Sequence, residues 1–248
     1  MNFIMSDRFF IDFSLHLNQK YLFSSEEAHH LKKVMRVPSG SCIQVINGKG
    51  SLAEGLVKFL EGGVEFEVKQ LLQQEAPRSI SLMVSILKSD KMEWVIQKAT
   101  ELGVAEVFPV MTRHGVVKLP TPAKANDKVA RWDKISLNAL KQSGRLHRMK
   151  THPVSSLEEK IENLEKESCF IGVLDEGETE KTLPEFFSVS VGFEKVIVVI
   201  GPEGGWHEDE RLWFDQCGIT RISLGKEILR AETASLIVAS YSKISWGY

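Results

Sequence analysis

The stretch that decides the fold begins Val196-Ile197-Val198-Val199-Ile200-Gly201-Pro202-Glu203-Gly204-Gly205 and closes at Leu224-Gly225-Lys226-Glu227-Ile228-Leu229-Arg230-Ala231-Glu232-Thr233-Ala234. An unbroken aliphatic run of strand length reads as a strand buried on both faces, the habit of a parallel sheet. Gly and Pro at its carboxyl end make a tight turn, where open α/β sheets bind their ligands. The acidic segment His207-Glu208-Asp209-Glu210 follows, and a second apolar run from Ile219 to Leu224 ends in the second loop.

The first loop is not built for phosphate. A phosphate cradle uses backbone N–H groups and a following Lys. Here Pro202 removes a donor, Glu203 adds negative charge and no Lys follows. The dinucleotide spacing G-x-G-x-x-G is missing as well. An acidic loop suits a ligand with a cationic part, or one held by backbone and amide contacts. Taken alone, the loop reads as a structural turn with a solvated Glu; its pairing with the second loop shifts the weight towards ligand binding.

Working outward, Ile80–Leu87 is apolar, and Asp90 with Glu93 three residues on predicts a capped helix. Met92, Val95, Ile96, Ala99 and Leu102 fall at helical spacing, with Gly103 as the stop. Strands at 107–111, 169–174 and 219–224, and helices at about 127–142 and 232–246, complete a strand–helix alternation. The first 72 residues differ. Arg8–Phe13, Ser41–Asn47, Leu52–Leu60 and Val64–Leu71 read as short β segments, interrupted by one helix that Ser25 caps and Lys32, Lys33 and Arg36 close. The expected organisation is a β domain over 1–72, a polar linker over 73–79 and an α/β domain over 80–248.

Composition sets limits. Hydrophobic content is 43% and charged content 26%, ordinary for a soluble globular chain. The apolar runs are strand-length, so no membrane span is expected. Cys42, Cys169 and Cys217 form neither a zinc pattern nor a disulfide framework, which fits buried thiols in a reducing cytosol. The net charge of −2 hides an asymmetry: residues 113–150 hold ten Lys and Arg against Asp127 and Asp133, while residues 151–185 reverse the sign. A run like this is ordinarily a solvated helix face; it is also the footprint of a polyanion site.

The two C-terminal loops together resemble the signature of the RsmE-type RNA methyltransferases of the SPOUT superfamily. Lys88-Ser89-Asp90-Lys91-Met92-Glu93-Trp94 with Gln97–Gly103 is similar to that family's first catalytic-domain helix. Gln142-Ser143-Gly144-Arg145 matches a further element, and His29-His30-Leu31 with Val34-Met35-Arg36 matches the N-terminal domain. Two departures are Lys141, where an acidic residue is common, and Trp206, where Phe or Leu is usual. The resemblance implies an α/β fold: an N-terminal PUA-like β-barrel, then a SPOUT domain with a parallel sheet and a deep trefoil knot. Periodicity gives no hint of a knot. It further implies a homodimer acting in the cytoplasm on 16S ribosomal RNA or the assembled small subunit. S-adenosyl-L-methionine is the implied methyl donor, N3 of one uridine (the family's U1498) the acceptor, and no metal takes part.

Carried onto this chain, the cofactor residues are Leu174, Gly201, Glu203, Gly204, Gly205, Leu224, Ile228, Leu229, Arg230 and Thr233. N3 of uracil must lose a proton, and charge then develops on the flanking carbonyls, which suits a cationic donor. Arg230 and Arg145 are the candidates for that role, with Glu232 or Thr233 orienting Arg230 or handling the proton. His29, His30, His114 and His147 are other possible bases, though lone histidines are more often packing residues. Arg8 and Arg36 are expected as RNA clamps, and Arg113, Lys124, Lys128, Arg131, Lys134 and Arg145 as further RNA contacts. Two rivals stand beside this reading: a non-catalytic RNA-binding protein of the same fold, and a SPOUT enzyme with another RNA target.

Overall fold

The computed structural model describes residues 8–119, 121–164 and 169–247. They form two compact units. One holds the chain up to Ala76 with Leu137–Arg148; the other holds Pro77–Ser136 and the chain from Met149 onward.

The first unit is a mixed five-stranded sheet of order β1-β3-β4-β5-β2. Its strands are β1 (Phe9–Phe10), β2 (Lys20–Leu22), β3 (Cys42–Ile46), β4 (Ser51–Leu60) and β5 (Gly63–Gln73). Strand β4 buries Ser51, Ala53, Gly55 and Val57, and β5 buries Val64, Phe66 and Val68, the period-2 alternation of a sheet with one covered face. Those apolar side chains pack with Phe9, Phe23, Leu31 and Val45. Strand β2 was not expected, because Lys-Tyr-Leu is too short to show a pattern, and Arg8 precedes β1 rather than opening it.

Helix α1 (Ser25–His29) corrects the expected cap. Ser24 is the cap: its side chain accepts from the Glu27 N–H at 3.2 Å, whereas Ser25 is already helical. The helix then widens into a π turn over His30–Val34, and Arg36 follows with φ of 51°. A non-glycine residue in the left-handed region is uncommon and carries strain. Glu27 is buried and receives an ion pair from Lys141 Nζ at 2.7 Å, so the uncommon Lys has a local partner.

In the second unit the strands are β6 (Ile80–Ser85), β7 (Glu106–Met111), β8 (Lys150–Thr151), β9 (Ser155–Ser156), β10 (Cys169–Leu174), β11 (Lys195–Ile200) and β12 (Thr220–Ile222). The parallel sheet runs β12-β10-β11-β6-β7-β8, with β9 also on β7. All six residues of β6 are buried, as are the last five of β11. Val196, Val198 and Ile200 pack on one side with Met92, Val95, Ile96 and Ala99 of α2 (Ser89–Glu101) and Ala234, Val238 and Ala239 of α7 (Ala231–Trp246). Ile197 and Val199 pack on the other with Leu157, Ile161 and Leu164 of α4 (Leu157–Leu164) and Phe214 of α6 (Glu208–Gln216). Covered faces on both sides are why this strand reads as a continuous aliphatic run.

Two expectations need correction here. Helix α2 starts one residue before Asp90, with Lys88 at the cap position and no side-chain cap bond; Asp90 instead sits in the first turn, where its charge still suits the helix dipole. Helix α3 spans Pro122–Ser143, opening five residues before Asp127. There the Thr121 hydroxyl accepts from Lys124 N–H at 3.3 Å, and Pro122 pre-sets the first helical dihedral. The short helix α5 (Leu183–Val189) opens on a Thr182–Glu185 capping box.

Candidate active site

Three loops at the carboxyl ends of β10, β11 and β12 line a cleft of about 370 Å³, the size of a small-ligand pocket. Leu174–Glu176 forms one wall, Ile200–Trp206 the second and Leu224–Ala231 the third, with Ile222 and Ala234 beneath. Of the ten expected cofactor residues, nine line this space; Thr233 faces solvent on α7 and does not.

The loops hold one another. Trp206 is buried, and its indole N–H donates to the Leu174 carbonyl at 2.7 Å, joining the first loop to the second. The ring also lies under Gly201, where an added Cβ would stand 3.0 Å from the indole. Gly205 has φ of 70°, and a Cβ there would meet the Glu176 carboxylate at 2.6 Å. Both glycines are therefore fixed by geometry rather than by flexibility. His114 Nδ1, on the chain after β7, lies 3.2 Å from the Gly205 carbonyl, so of the four candidate histidines it is the one beside a cleft loop.

Beneath the first loop, the buried Asp175 is gripped by Arg211, whose Nε and Nη2 both bond to it at 3.1 Å. Arg211 also reaches Glu176 at 2.7 Å. These charge-assisted bonds raise the Arg211 pKa, the Asp175 hydrogen bond contributing most. On α6, the buried Glu210 accepts from the N–H groups of Arg113 at 3.0 Å and His207 at 2.9 Å, tying the chain after β7 to the second loop.

Arg230 lines the cleft and occupies the N-cap position of α7. Among the described residues no carboxylate pairs with its guanidinium. Glu232 lies in the first turn of α7, where negative charge suits the helix dipole. Its Oε1 is 3.6 Å from Lys91 Nζ, and Lys91 also donates to Glu203 Oε1 at 3.1 Å. The Glu203 hydrogen bond, with the nearby carboxylates, raises the Lys91 pKa against burial and the Arg230 charge.

The expected RNA residues divide. Within the second unit, Lys124 and Lys134 are exposed and have no ion pair among the described residues, whereas Lys128 donates to Ser89 Oγ at 3.2 Å and Arg131 pairs with Glu93 at 2.7 Å. Arg113 is ion-paired to Asp209. Within the first unit, Arg8 Nε donates to Gln44 at 3.2 Å and its guanidinium lies against Gly144, beside Arg145 in sequence. Arg36 is exposed. Arg145 belongs to this unit, and the cleft with Arg230 to the other. Its charge, after burial, lowers the pKa of His147.

Lys91, Trp206, Asp175, Arg211 and Glu210 were not singled out as site residues from sequence. Each acts through a contact between distant segments; Lys91 lay inside a recognised motif, and Trp206 was noted only as a departure from one.

Known proteins bear on this arrangement. A family model described as "RNA methyltransferase domain" matches residues 74–243, and one described as "RNA methyltransferase PUA domain" matches residues 23–63. Ribosomal RNA small subunit methyltransferase E of Bacillus subtilis (strain 168) is 32% identical over 88% of this chain and 87% of its own. The protein of that name from Rickettsia conorii is 28% identical over 93% and 92%. The crystal structure of a ribosomal RNA small subunit methyltransferase E from Neisseria gonorrhoeae bound to S-adenosyl methionine superposes with a TM-score of 0.85, at 27% identity, covering 97% of this chain and 98% of that one. The chain belongs to this family of RNA methyltransferases, the ribosomal RNA small subunit methyltransferases E.

Proposed function

We propose that the protein methylates 16S ribosomal RNA of the small subunit at N3 of a single uridine, drawing the methyl group from S-adenosylmethionine held in the three-loop cleft. The observation that carries this reading is the convergence of both signature loops on one cleft that ends at Arg230. The Neisseria gonorrhoeae relative, which carries S-adenosyl methionine, adds support. The donor set also fits: glycines admit a close backbone approach, Leu224, Ile228 and Leu229 offer an apolar wall, and Glu203 supplies negative charge for a cationic ligand.

When bound, S-adenosylmethionine supplies an electrophilic methyl group. The chain must hold the uracil in line, because positioning dominates such displacements. Arg230, with no carboxylate partner among the described residues, is left to stabilise charge on a uracil carbonyl as the N3 proton leaves. Lys124 and Lys134 hold RNA phosphates, with Arg113, Lys128, Arg131 and the first unit's Arg8, Arg36 and Arg145 as further contacts. The free cysteines suit a reducing cytoplasm, and among the described residues no group of side chains could hold a metal ion.

The active form is read as a homodimer. Helix α7 buries Ala234, Val238 and Ala239 yet leaves Ile237 37% and Ile244 81% exposed, more apolar surface than a solvent-facing helix needs. Light scattering is expected to give about twice the 27.9 kDa chain mass. A fully active monomer would contradict that assembly.

Incubating the protein with labelled S-adenosylmethionine and small ribosomal subunits lacking the modification, then mapping the label by mass spectrometry of nucleosides, tests the activity. One 3-methyluridine per subunit is expected. Label at a ribose hydroxyl, or no label on the subunit, would overturn the reading.

A further inference from the structure

Lys91 projects from the first turn of α2 to a point between two segments far away in sequence. Its Nζ is 3.1 Å from Glu203 Oε1, on the loop after β11, and 3.6 Å from Glu232 Oε1, at the start of α7. The three side chains are 26%, 24% and 16% exposed, so the bridge is partly shielded from competing water and salt. The second oxygen of Glu232, Oε2, is buried and has no hydrogen-bond partner among the described residues. An orphaned carboxylate oxygen is costly unless something later satisfies it. Lys91 thus faces one oxygen of Glu232 at ion-pair distance, while the other has no partner among the described residues, two residues from Arg230.

We propose that Lys91 is a positioning residue: it locks the Gly201–Gly205 loop to the first turn of α7 and holds Glu232 with Oε2 free to accept an N–H donor delivered by a bound ligand. The proposal rests on the cofactor and substrate reading above. The donor is either a cationic amine, which the bound cofactor would bring, or the imide N–H of uracil, which the RNA would bring. Both are N–H groups that a carboxylate oxygen accepts, and they separate by experiment. Lys91 touches neither ligand in this scheme. It acts by denying the loop and the helix independent motion, since a small misplacement at the reacting centre costs orders of magnitude in rate.

The test uses the full chain and three variants. Lys91→Met removes the charge and keeps the length of the side chain, Lys91→Arg restores a cation that spans two carboxylates, and Glu232→Gln keeps the shape while exchanging an acceptor for a donor. Hydrogen exchange on the cofactor-free protein comes first. Lys91→Met is expected to speed exchange in residues 201–206 and in the first turn of α7 together, with Lys91→Arg close to the wild type. This readout does not depend on any activity. Cofactor affinity and the single-turnover rate at saturating cofactor and RNA follow. Lys91→Met is expected to slow single turnover at least tenfold without lowering the melting temperature by more than a few degrees, and Lys91→Arg is expected to recover most of the loss. Glu232→Gln assigns the donor: weakened cofactor binding identifies the amine, and intact binding with slowed methyl transfer identifies the imide.

Unchanged exchange and unchanged single turnover in Lys91→Met would overturn the proposal. So would a rate loss that merely tracks a collapse in melting temperature. If the wild type itself neither binds S-adenosylmethionine nor methylates the subunit, the functional reading fails, and the exchange data still decide whether Lys91 ties the loop to the helix.

Discussion

The cleft and the exposed face of α3 treat charge in opposite ways. In the cleft, Lys91 bridges Glu203 and Glu232, Arg211 grips Asp175, and the Trp206 indole is spent on the Leu174 carbonyl, so these polar groups have a fixed geometry. Arg230 stands out there as a cation with no carboxylate partner among the described residues. On α3, Lys124 and Lys134 lie exposed, with no ion pair among the described residues. Fixed, partly buried charges serve a reaction that tolerates little misplacement. Unpaired surface cations serve long-range attraction to a polyanion, which needs charge more than geometry.

The strongest way to break the comparison is Gly205→Val. A β-branched residue at φ of 70°, with its Cβ 2.6 Å from the Glu176 carboxylate, distorts the second loop. Calorimetry is expected to show cofactor binding lost, with circular dichroism unchanged; normal binding would mean that the loop conformation does not matter. Arg230→Ala comes next. Turnover is expected to fall roughly 100-fold or more with RNA affinity near normal, as when an oxyanion-stabilising donor is removed. A variant that loses only RNA affinity would move Arg230 to the gripping side of the comparison.

Neutralising Lys124 and Lys134 together is expected to reduce the salt dependence of RNA binding by about one unit per lost phosphate contact, with turnover at saturating RNA unaltered. Arg131→Ala is expected to do less, because its guanidinium is already paired with Glu93 at 2.7 Å. Equal effects from Arg131 and Lys134 would show that the pairing breaks when RNA binds.

The smallest effect lies away from both regions. His152, then Lys195, hydrogen-bond Glu106 and hold its carboxyl at about 2, against an ordinary 4.5, even though burial opposes this. A depressed folded-state pKa gives stability that is present above pH 4.5 and is lost as pH falls from there towards 2. Glu106→Gln is therefore expected to cost about 1–2 kcal/mol in urea denaturation at pH 7, with the gap to the wild type closing in acid. A gap that stayed constant with pH would remove the charge from the explanation.

Much of this contrast was legible in the residues. Val196–Ile200 announced a strand buried on both faces, and the β-branched and aromatic content of Leu52–Leu60 and Val64–Leu71 announced strands without showing which face is covered. The two glycine loops line one cleft. What the sequence withheld depends on contacts between distant segments. Nothing local marks Lys91 as a partner for carboxylates 112 and 141 positions away, and its motif membership gave no role. The grouping of Leu137–Arg148 with the first unit was hidden because α3 runs uninterrupted through residue 137. The cap at Ser24 rather than Ser25 turned on backbone dihedrals that two adjacent serines cannot reveal.

Calorimetric titration of the intact protein with S-adenosylmethionine, in the presence of a metal chelator, tests the central claim most directly. The account predicts saturable binding at one site per chain, unaffected by the chelator, and a melting temperature that climbs with ligand concentration because the ligand binds only the folded cleft. No heat of binding and no thermal stabilisation at high ligand concentration would contradict it.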